Sequence, residues 1–156
     1  MNNKNLNGKT SARRERDREF LACYTQALQL AIAQRVPNAQ QLAVCWTIHN
    51  GSPHYHVSYE RAYKVVRRLL ADGTEPPIRE SLQLEMWREI ARRVAALTAG
   101  TRVSVAKALE FVLEYGRASR FFVTERYARE TLVPRARRER MDDLRRQHHA
   151  RLTYMA

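Results

Sequence analysis

The sequence contains the stretch Tyr55-His56-Val57-Ser58, followed by Ala62, and a later stretch, Phe121-Phe122-Val123-Thr124, followed by Ala128, resembles it by residue class. The two stretches lie 66 residues apart. In each, a hydroxyl residue suited to cap a helix follows a valine, and the alanine falls about one helical turn after the cap. This agreement predicts that the 156-residue chain holds two copies of one small helical unit.

Apolar residues at helical spacing surround both stretches and support the same division. Phe20 and Tyr24 in the first predicted helix correspond, at the same offset, to Met86 and Ile90. The chain has only five glycines and five prolines, too few for an all-β fold with many tight turns. The sequence therefore predicts an all-α protein of two tandem three-helix units, each similar to a divergent helix-turn-helix, followed by a basic C-terminal helix.

Composition and the positions of glycine and proline divide the chain into five predicted segments. These are a flexible basic arm over residues 1–16, helical unit 1 over 17–71, a linker over 72–79, helical unit 2 over 80–134 and a basic C-terminal helix or tail over 135–156. In the second helix of unit 1 we expect Leu42, Ala43 and Trp46 to be buried. Pro134 is expected to end or kink the last helix of unit 2.

The charge of the chain points to a polyanionic partner. Its 28 Lys and Arg exceed its 16 Asp and Glu, which gives a formal net charge of +12. Most of the basic residues are arginines, which bind phosphate in a bidentate manner. The N-terminal sequence lacks the apolar core of a signal peptide, and no apolar run approaches a transmembrane length. A cytoplasmic protein without membrane contact is therefore expected.

The basic residues form three clusters, one in the arm, one in the third helix of unit 1 and one in the tail. In the third helix, Arg61, Lys64 and Arg68 follow the spacing of a single helix face. We expect phosphate contacts from all three clusters, and above all from this helix face, because the corresponding positions of unit 2 are not basic. The predicted nucleic-acid-binding residues are Arg13, Arg14, Arg61, Lys64, Arg67, Arg68, Arg137 and Arg138.

Potential metal ligands occur close together near the end of the second helix. They are Cys45, His49, His54 and His56, but their spacing matches no familiar zinc site. The second copy has Phe122 at the position of His56, which favours a structural role for this histidine. The chain also lacks the common nucleotide-binding and hydrolase motifs. We therefore expect no catalytic residue, metal or cofactor.

A resemblance adds to this interpretation. The segments from Pro53 to Ala62 and from Ser119 to Ala128 resemble those of small bacterial proteins of phage or mobile-element type. The second segment departs from the pattern because Ser119 replaces the proline. The resemblance implies a role in handling a genome.

Two functions are compatible with these features. The first is a non-enzymatic DNA-binding or genome-associated protein that contacts the phosphates of double-stranded DNA through arginine-rich helices. The alternative is a helical protein–protein interaction or assembly module whose basic surface binds an acidic partner.

Overall fold

The predicted all-α fold is confirmed. The computed structural model describes residues 4–50 and 52–155, and this part of the chain is helical throughout apart from its connections. The helices are α1 (Lys4–Ala33), α2 (Ala39–His49), α3 (Tyr59–Asp72), α4 (Ser81–Thr98), α5 (Val105–Tyr115), α6 (Glu125–Tyr127) and α7 (Val133–Met155). A π-helical segment, Ala128–Leu132, joins α6 to α7.

The predicted caps form as expected. The Ser58 hydroxyl accepts a hydrogen bond from the Arg61 amide at 3.4 Å and begins α3. The Thr124 hydroxyl accepts one from the Tyr127 amide at 3.1 Å and begins α6. Each side chain satisfies an amide of the first turn that has no partner within the helix.

The third helices are exchanged between the two sequence units. One core contains α4, α5 and α3, and its buried residues include Tyr55, Ala62 and Val66 from the first half of the chain. The other contains α1, α2 and the helix that begins with α6, including Phe121 and Leu132 from the second half. The predicted units of residues 17–71 and 80–134 therefore do not pack as contiguous bodies.

The exchange takes place where the two connecting segments cross. Ser52 and Ala118, which are 66 residues apart, form an isolated antiparallel bridge, with the Ser52 amide 3.1 Å from the Ala118 carbonyl oxygen. The Phe121 amide donates to the Ile48 carbonyl at 3.0 Å. An antiparallel bridge between corresponding positions is the arrangement that an approximate two-fold axis produces. The repeat itself stays a prediction, and the bridge supplies a structural argument for it.

The predicted flexible arm is wrong for its described part, since α1 begins at Lys4, and residues 1–3 lie outside the described residues. Residues 11–19 contain four arginines and two glutamates, which favour a helix over a free tail. Asp17 also holds this part of α1 in place, because its carboxylate accepts a hydrogen bond of 2.9 Å from the Tyr127 hydroxyl.

The predicted buried face of α2 is confirmed for Ala43 and wrong for Leu42 and Trp46. Leu42 is 47% and Trp46 59% exposed, whereas Val44 and Ile48 are almost fully buried. In α5 the buried residues are Ala108, Leu109 and Val112. Burial in the second helices therefore corresponds at an offset of 65, although the bounds of these helices correspond at 66.

Pro134 does not end the helix, contrary to one of the two predicted outcomes. The helix continues from Glu125 to Met155, and the Val133 amide donates to the Ala128 carbonyl across the π-helical turn. Proline lacks the amide that would continue the regular ladder, and a widened turn accommodates such a gap. The C-terminal helix is thus a direct extension of the third helix of unit 2. From Glu139 to Met155 its side chains are exposed.

Candidate nucleic-acid interface

The structure divides the four predicted residues of α3 into two groups. Ala62 and Val66 turn towards the core and leave Lys64, Arg67 and Arg68 exposed on the outer face. Arg61 is half-buried, and its guanidinium carbon lies 5.7 Å from the centre of the Trp87 ring. Such a cation–π contact holds Arg61 against α4. Arg61 is therefore part of the packing between α3 and α4.

Lys64, Arg67 and Arg68 line a groove of about 610 Å³ between α3 and the linker. Gly73 ends α3 with φ of 74°, a left-handed conformation that glycine adopts without strain. The chain then runs through Thr74, and Pro76 and Pro77 form the opposite wall of the groove. We name this feature the α3–linker groove.

Two of the three predicted basic clusters meet at Asp17 on α1. Its carboxylate lies 2.9 Å from Arg16 and 3.8 Å from Arg135, and it accepts the Tyr127 hydroxyl hydrogen bond. Asp17 is 7% exposed, so these partners compensate a nearly buried charge. The arm cluster on α1 and the tail cluster on α7 are thereby brought together.

The remaining predicted residues of these two clusters lie within about one helical turn of Asp17 or Arg135 along the chain. Arg13 and Arg14 precede Asp17 by one helical turn and therefore share its side of α1. Arg138 follows Arg135 by one turn of α7. We name Arg13, Arg14, Arg137 and Arg138 the α1–α7 basic surface; all four are exposed.

Charges on α7 act on the Tyr24 hydroxyl of α1. Burial raises the pKa of the Tyr24 hydroxyl, and the positive charges of Arg137 and Arg140 oppose that rise. These arginines therefore lie within electrostatic reach of α1 one to two turns beyond Asp17.

Ion pairing separates the predicted site from some, though fewer than half, of the other basic residues. Within the described residues, the four arginines of the α1–α7 basic surface and the three cations of the α3–linker groove form no ion pair. The arginines that do pair with carboxylates are Arg16, Arg88, Arg93, Arg126, Arg129, Arg135, Arg145 and Arg146. An unpaired, exposed guanidinium keeps its full capacity to bind a phosphate or a carboxylate.

Sequence reasoning missed one exposed tryptophan, one exposed aromatic pair and one buried acid. Trp46 on α2 is largely exposed, as are Phe111 and Tyr115 on α5, whose rings lie 5.0 Å apart. Val44 and Ile48 form an alternative apolar line one turn apart on α2, and that line could have signalled the exposure of Trp46. Glu89, buried in α4, had no signal in the sequence because its partners lie on distant segments.

Two of the three histidines considered as metal ligands lie beside one carboxylate, that of Glu19. His56 Nε2 lies 2.7 Å from Glu19 Oε2, and His54 Nε2 lies 3.6 Å from Glu19 Oε1. Cys45 lies instead beside Glu125, which together with burial raises the pKa of its thiol. In the described residues no three His, Cys, Asp or Glu side chains are grouped as a metal site would require.

His56 makes folding sensitive to acid. Its side chain is 6% exposed and stacks on Phe121, and burial lowers its pKa below the usual 6.5 despite the opposing effect of Glu19. As the pH falls through 6.5, the His56 imidazole is protonated in the unfolded chain before it is protonated in the folded chain. Protonation therefore favours the unfolded state, and the free energy of unfolding decreases.

We therefore expect urea midpoints to fall more for the natural protein than for His56→Gln when the pH is lowered from about 7.5 to about 5. His49, exposed at the end of α2, provides the control substitution His49→Gln, which should leave the natural pH dependence intact. Equal pH dependence in the natural protein and His56→Gln would contradict the assignment.

No described helix has the length and apolar character needed to cross a membrane. Comparison with known proteins gives no further guide: no protein-family model matches the chain, and neither curated proteins nor solved structures match it.

Proposed function

We propose that the protein is a non-enzymatic, cytoplasmic DNA-binding protein that contacts the phosphates of double-stranded DNA through the α1–α7 basic surface. The observation that carries this proposal is the meeting of two predicted basic clusters at Asp17, with their outer arginines exposed and unpaired. The resemblance to proteins of phage or mobile-element type supports a genome-associated role.

The shape of the two helices suits a duplex. α1 has 30 residues and α7 has 23, so at 1.5 Å per residue they extend for about 45 and 35 Å. Rows of arginine along such helices can follow several phosphates of one backbone. Phosphate contacts position a protein without reading bases, so we expect weak dependence on DNA sequence.

The α3 cations are not assigned to this DNA surface. Arg61 is held on Trp87, and Lys64, Arg67 and Arg68 line a groove that the linker closes on one side. This differs from the expectation that all three clusters contact one polyanion. The contact with DNA is therefore proposed for α1 and α7.

The test is the salt dependence of binding to an unrelated duplex. Replacing Arg13, Arg14, Arg137 and Arg138 by alanine should reduce the slope of log K against log salt by about 3 to 4, since each phosphate contact contributes about 0.9. Titration by fluorescence anisotropy at several salt concentrations measures this slope.

A matched control removes the same charge from ion-paired positions outside α1 and α7. Its four alanine substitutions are at Arg88, Lys107, Arg126 and Arg129, whose side chains are at least half exposed. This variant has the same net charge but should retain most of the slope. Equal losses in both variants would show a general charge effect and contradict the assigned surface.

The α3–linker groove favours a second candidate function, binding of an acidic protein partner. The groove combines unpaired cations with apolar walls, which a protein segment requires. This function is compatible with DNA binding because the two sites use different residues.

A further inference from the structure

The charge of the α3–linker groove is unbalanced. Three cations line it, Lys64, Arg67 and Arg68, and the lining contains one carboxylate, Asp72. That carboxylate accepts the Thr74 amide hydrogen bond at 2.9 Å, and the bonds from Thr74 lower its pKa. Asp72 therefore stabilises the turn around Gly73 and forms no ion pair with the groove cations.

The walls of the groove are largely apolar. Val65 and Ala71 belong to the helix side, while Pro76 and Pro77 form the linker side. A volume of about 610 Å³ lies within the range of sites that bind small ligands, about 300 to 1,000 Å³. The prolines restrict the linker backbone, so its side of the groove loses little conformational entropy on binding.

The spacing of the cations matches an extended peptide. Side chains three or four residues apart on a helix are about 5 to 6 Å apart, as for Lys64 with Arg67 and Arg68. Alternate residues of an extended strand are about 6.6 Å apart and point to the same side. Carboxylates at alternate positions of such a strand can therefore meet the cations on α3, and an intervening apolar residue can contact the prolines.

The aromatic content of the groove argues against a single-stranded nucleic acid. Tyr63 is the aromatic residue in its lining, and the Tyr59 ring stacks beside it at a centroid distance of 6.1 Å. Tyr63 therefore already has a stacking partner, whereas single-strand sites present aromatic platforms for successive bases.

We propose that the α3–linker groove binds an extended acidic peptide segment of a partner protein. Lys64, Arg67 and Arg68 bind its carboxylates, and Ala71 with the two prolines contacts its apolar side chains. The site does not depend on the proposed DNA contact, since none of its residues belongs to the α1–α7 basic surface.

The first test uses a fluorescein-labelled decapeptide of alternating glutamate and valine, titrated with the full chain. Replacing Lys64, Arg67 and Arg68 together by alanine should weaken its binding by about ten-fold or more, because charge-assisted contacts are lost. A matched variant, Arg137→Ala/Arg138→Ala/Arg140→Ala, removes the same charge from α7 and should change the affinity by less than about three-fold.

A second pair of variants tests the groove without changing charge. Ala71→Trp places a large ring inside the groove and should also weaken peptide binding by about ten-fold. Leu70→Trp changes an exposed neighbour on the same helix that does not line the groove, and should retain binding. A circular dichroism spectrum and urea midpoint of Ala71→Trp that match those of the natural chain would show that the fold is intact.

Three results would overturn the proposal. The first is that the decapeptide shows no saturable binding to the natural chain. The second is that the α3 and α7 variants lower the affinity for the decapeptide equally. The third is that Ala71→Trp leaves this affinity unchanged. A single-stranded oligothymidylate of ten nucleotides serves as the competitor. If it binds more tightly than the decapeptide and loses affinity in Ala71→Trp, the groove is a nucleic-acid site instead.

Discussion

Phe121→Ala is expected to lower the free energy of unfolding by about 3 to 5 kcal/mol. The Phe121 ring is 1% exposed, meets Phe20 edge to face at a centroid distance of 5.4 Å and lies flat against His56. Its removal leaves a cavity in the core that α1 and α2 share with the helix beginning at α6. Urea denaturation followed by circular dichroism measures the loss.

The same residue tests the exchange of third helices. If Phe121 packs on α1, the milder substitutions Phe20→Leu and Phe121→Leu should be coupled in a double-mutant cycle by about 0.5 to 1.5 kcal/mol. Tyr55 provides the matched control, because it occupies the corresponding position but is buried in the other core.

Phe20→Leu and Tyr55→Leu should therefore be additive within about 0.5 kcal/mol. Strong coupling of Phe20 with Tyr55 and none with Phe121 would mean that each third helix packs within its own sequence unit. The measurement thus distinguishes exchanged units from contiguous ones in solution.

Glu89→Ala is expected to cost about 3 kcal/mol, because it removes the acceptor of several hydrogen bonds at once. Glu89 is 8% exposed and accepts from the Tyr55 hydroxyl at 2.8 Å. It also accepts from the Ser119 amide at 3.0 Å and the Ser119 hydroxyl at 2.8 Å. One carboxylate thereby joins α4 to both crossing segments.

Arg93 adds to the effect of Glu89. Its guanidinium lies 3.4 Å from the Glu89 carboxylate and 5.4 Å from the centre of the Tyr55 ring, so it interacts with both partners of this hydrogen bond. Burial and the bond to Glu89 raise the pKa of Tyr55, which keeps its hydroxyl a donor.

Two substitutions separate the role of Glu89 from that of any acid on α4. Glu89→Gln retains an acceptor for Tyr55 and should cost clearly less than Glu89→Ala. Glu85→Ala removes an exposed acid one turn earlier and should stay within about 0.5 kcal/mol of the natural protein. If Glu89→Ala were as mild as Glu85→Ala, the carboxylate would not hold the crossing together.

Local features of the chain could be predicted because their causes are local. The caps at Ser58 and Thr124 and the linker after Asp72 depend on neighbouring residues, and all are present. The arm was predicted wrongly although its arginines and glutamates favour a helix, and the hydrogen bond that holds the neighbouring Asp17 joins it to Tyr127, 110 residues away. No pattern within α1 reveals such a partner.

The predicted binding residues show the same limit. For four of these residues the predicted charge and exposure agree with the structure: Arg13, Arg14, Arg137 and Arg138. Arg61 has the same spacing along α3 as Lys64 and Arg68, yet Trp87 lies beneath it. Only the packing of α3 on α4 distinguishes a cation that lies against an aromatic ring from one that is exposed to solvent.

By itself the sequence determined the helical class, the capped starts of the third helices and the basic character of the surface. These properties follow from periodicity, side-chain hydrogen bonding and composition, each acting over a few residues. The tertiary structure decided which core each third helix enters and which face of α2 is buried. Both third helices offer an alanine and aliphatic residues on one face, so local pattern fits either core, and only the crossing at Ser52 and Ala118 selects between them.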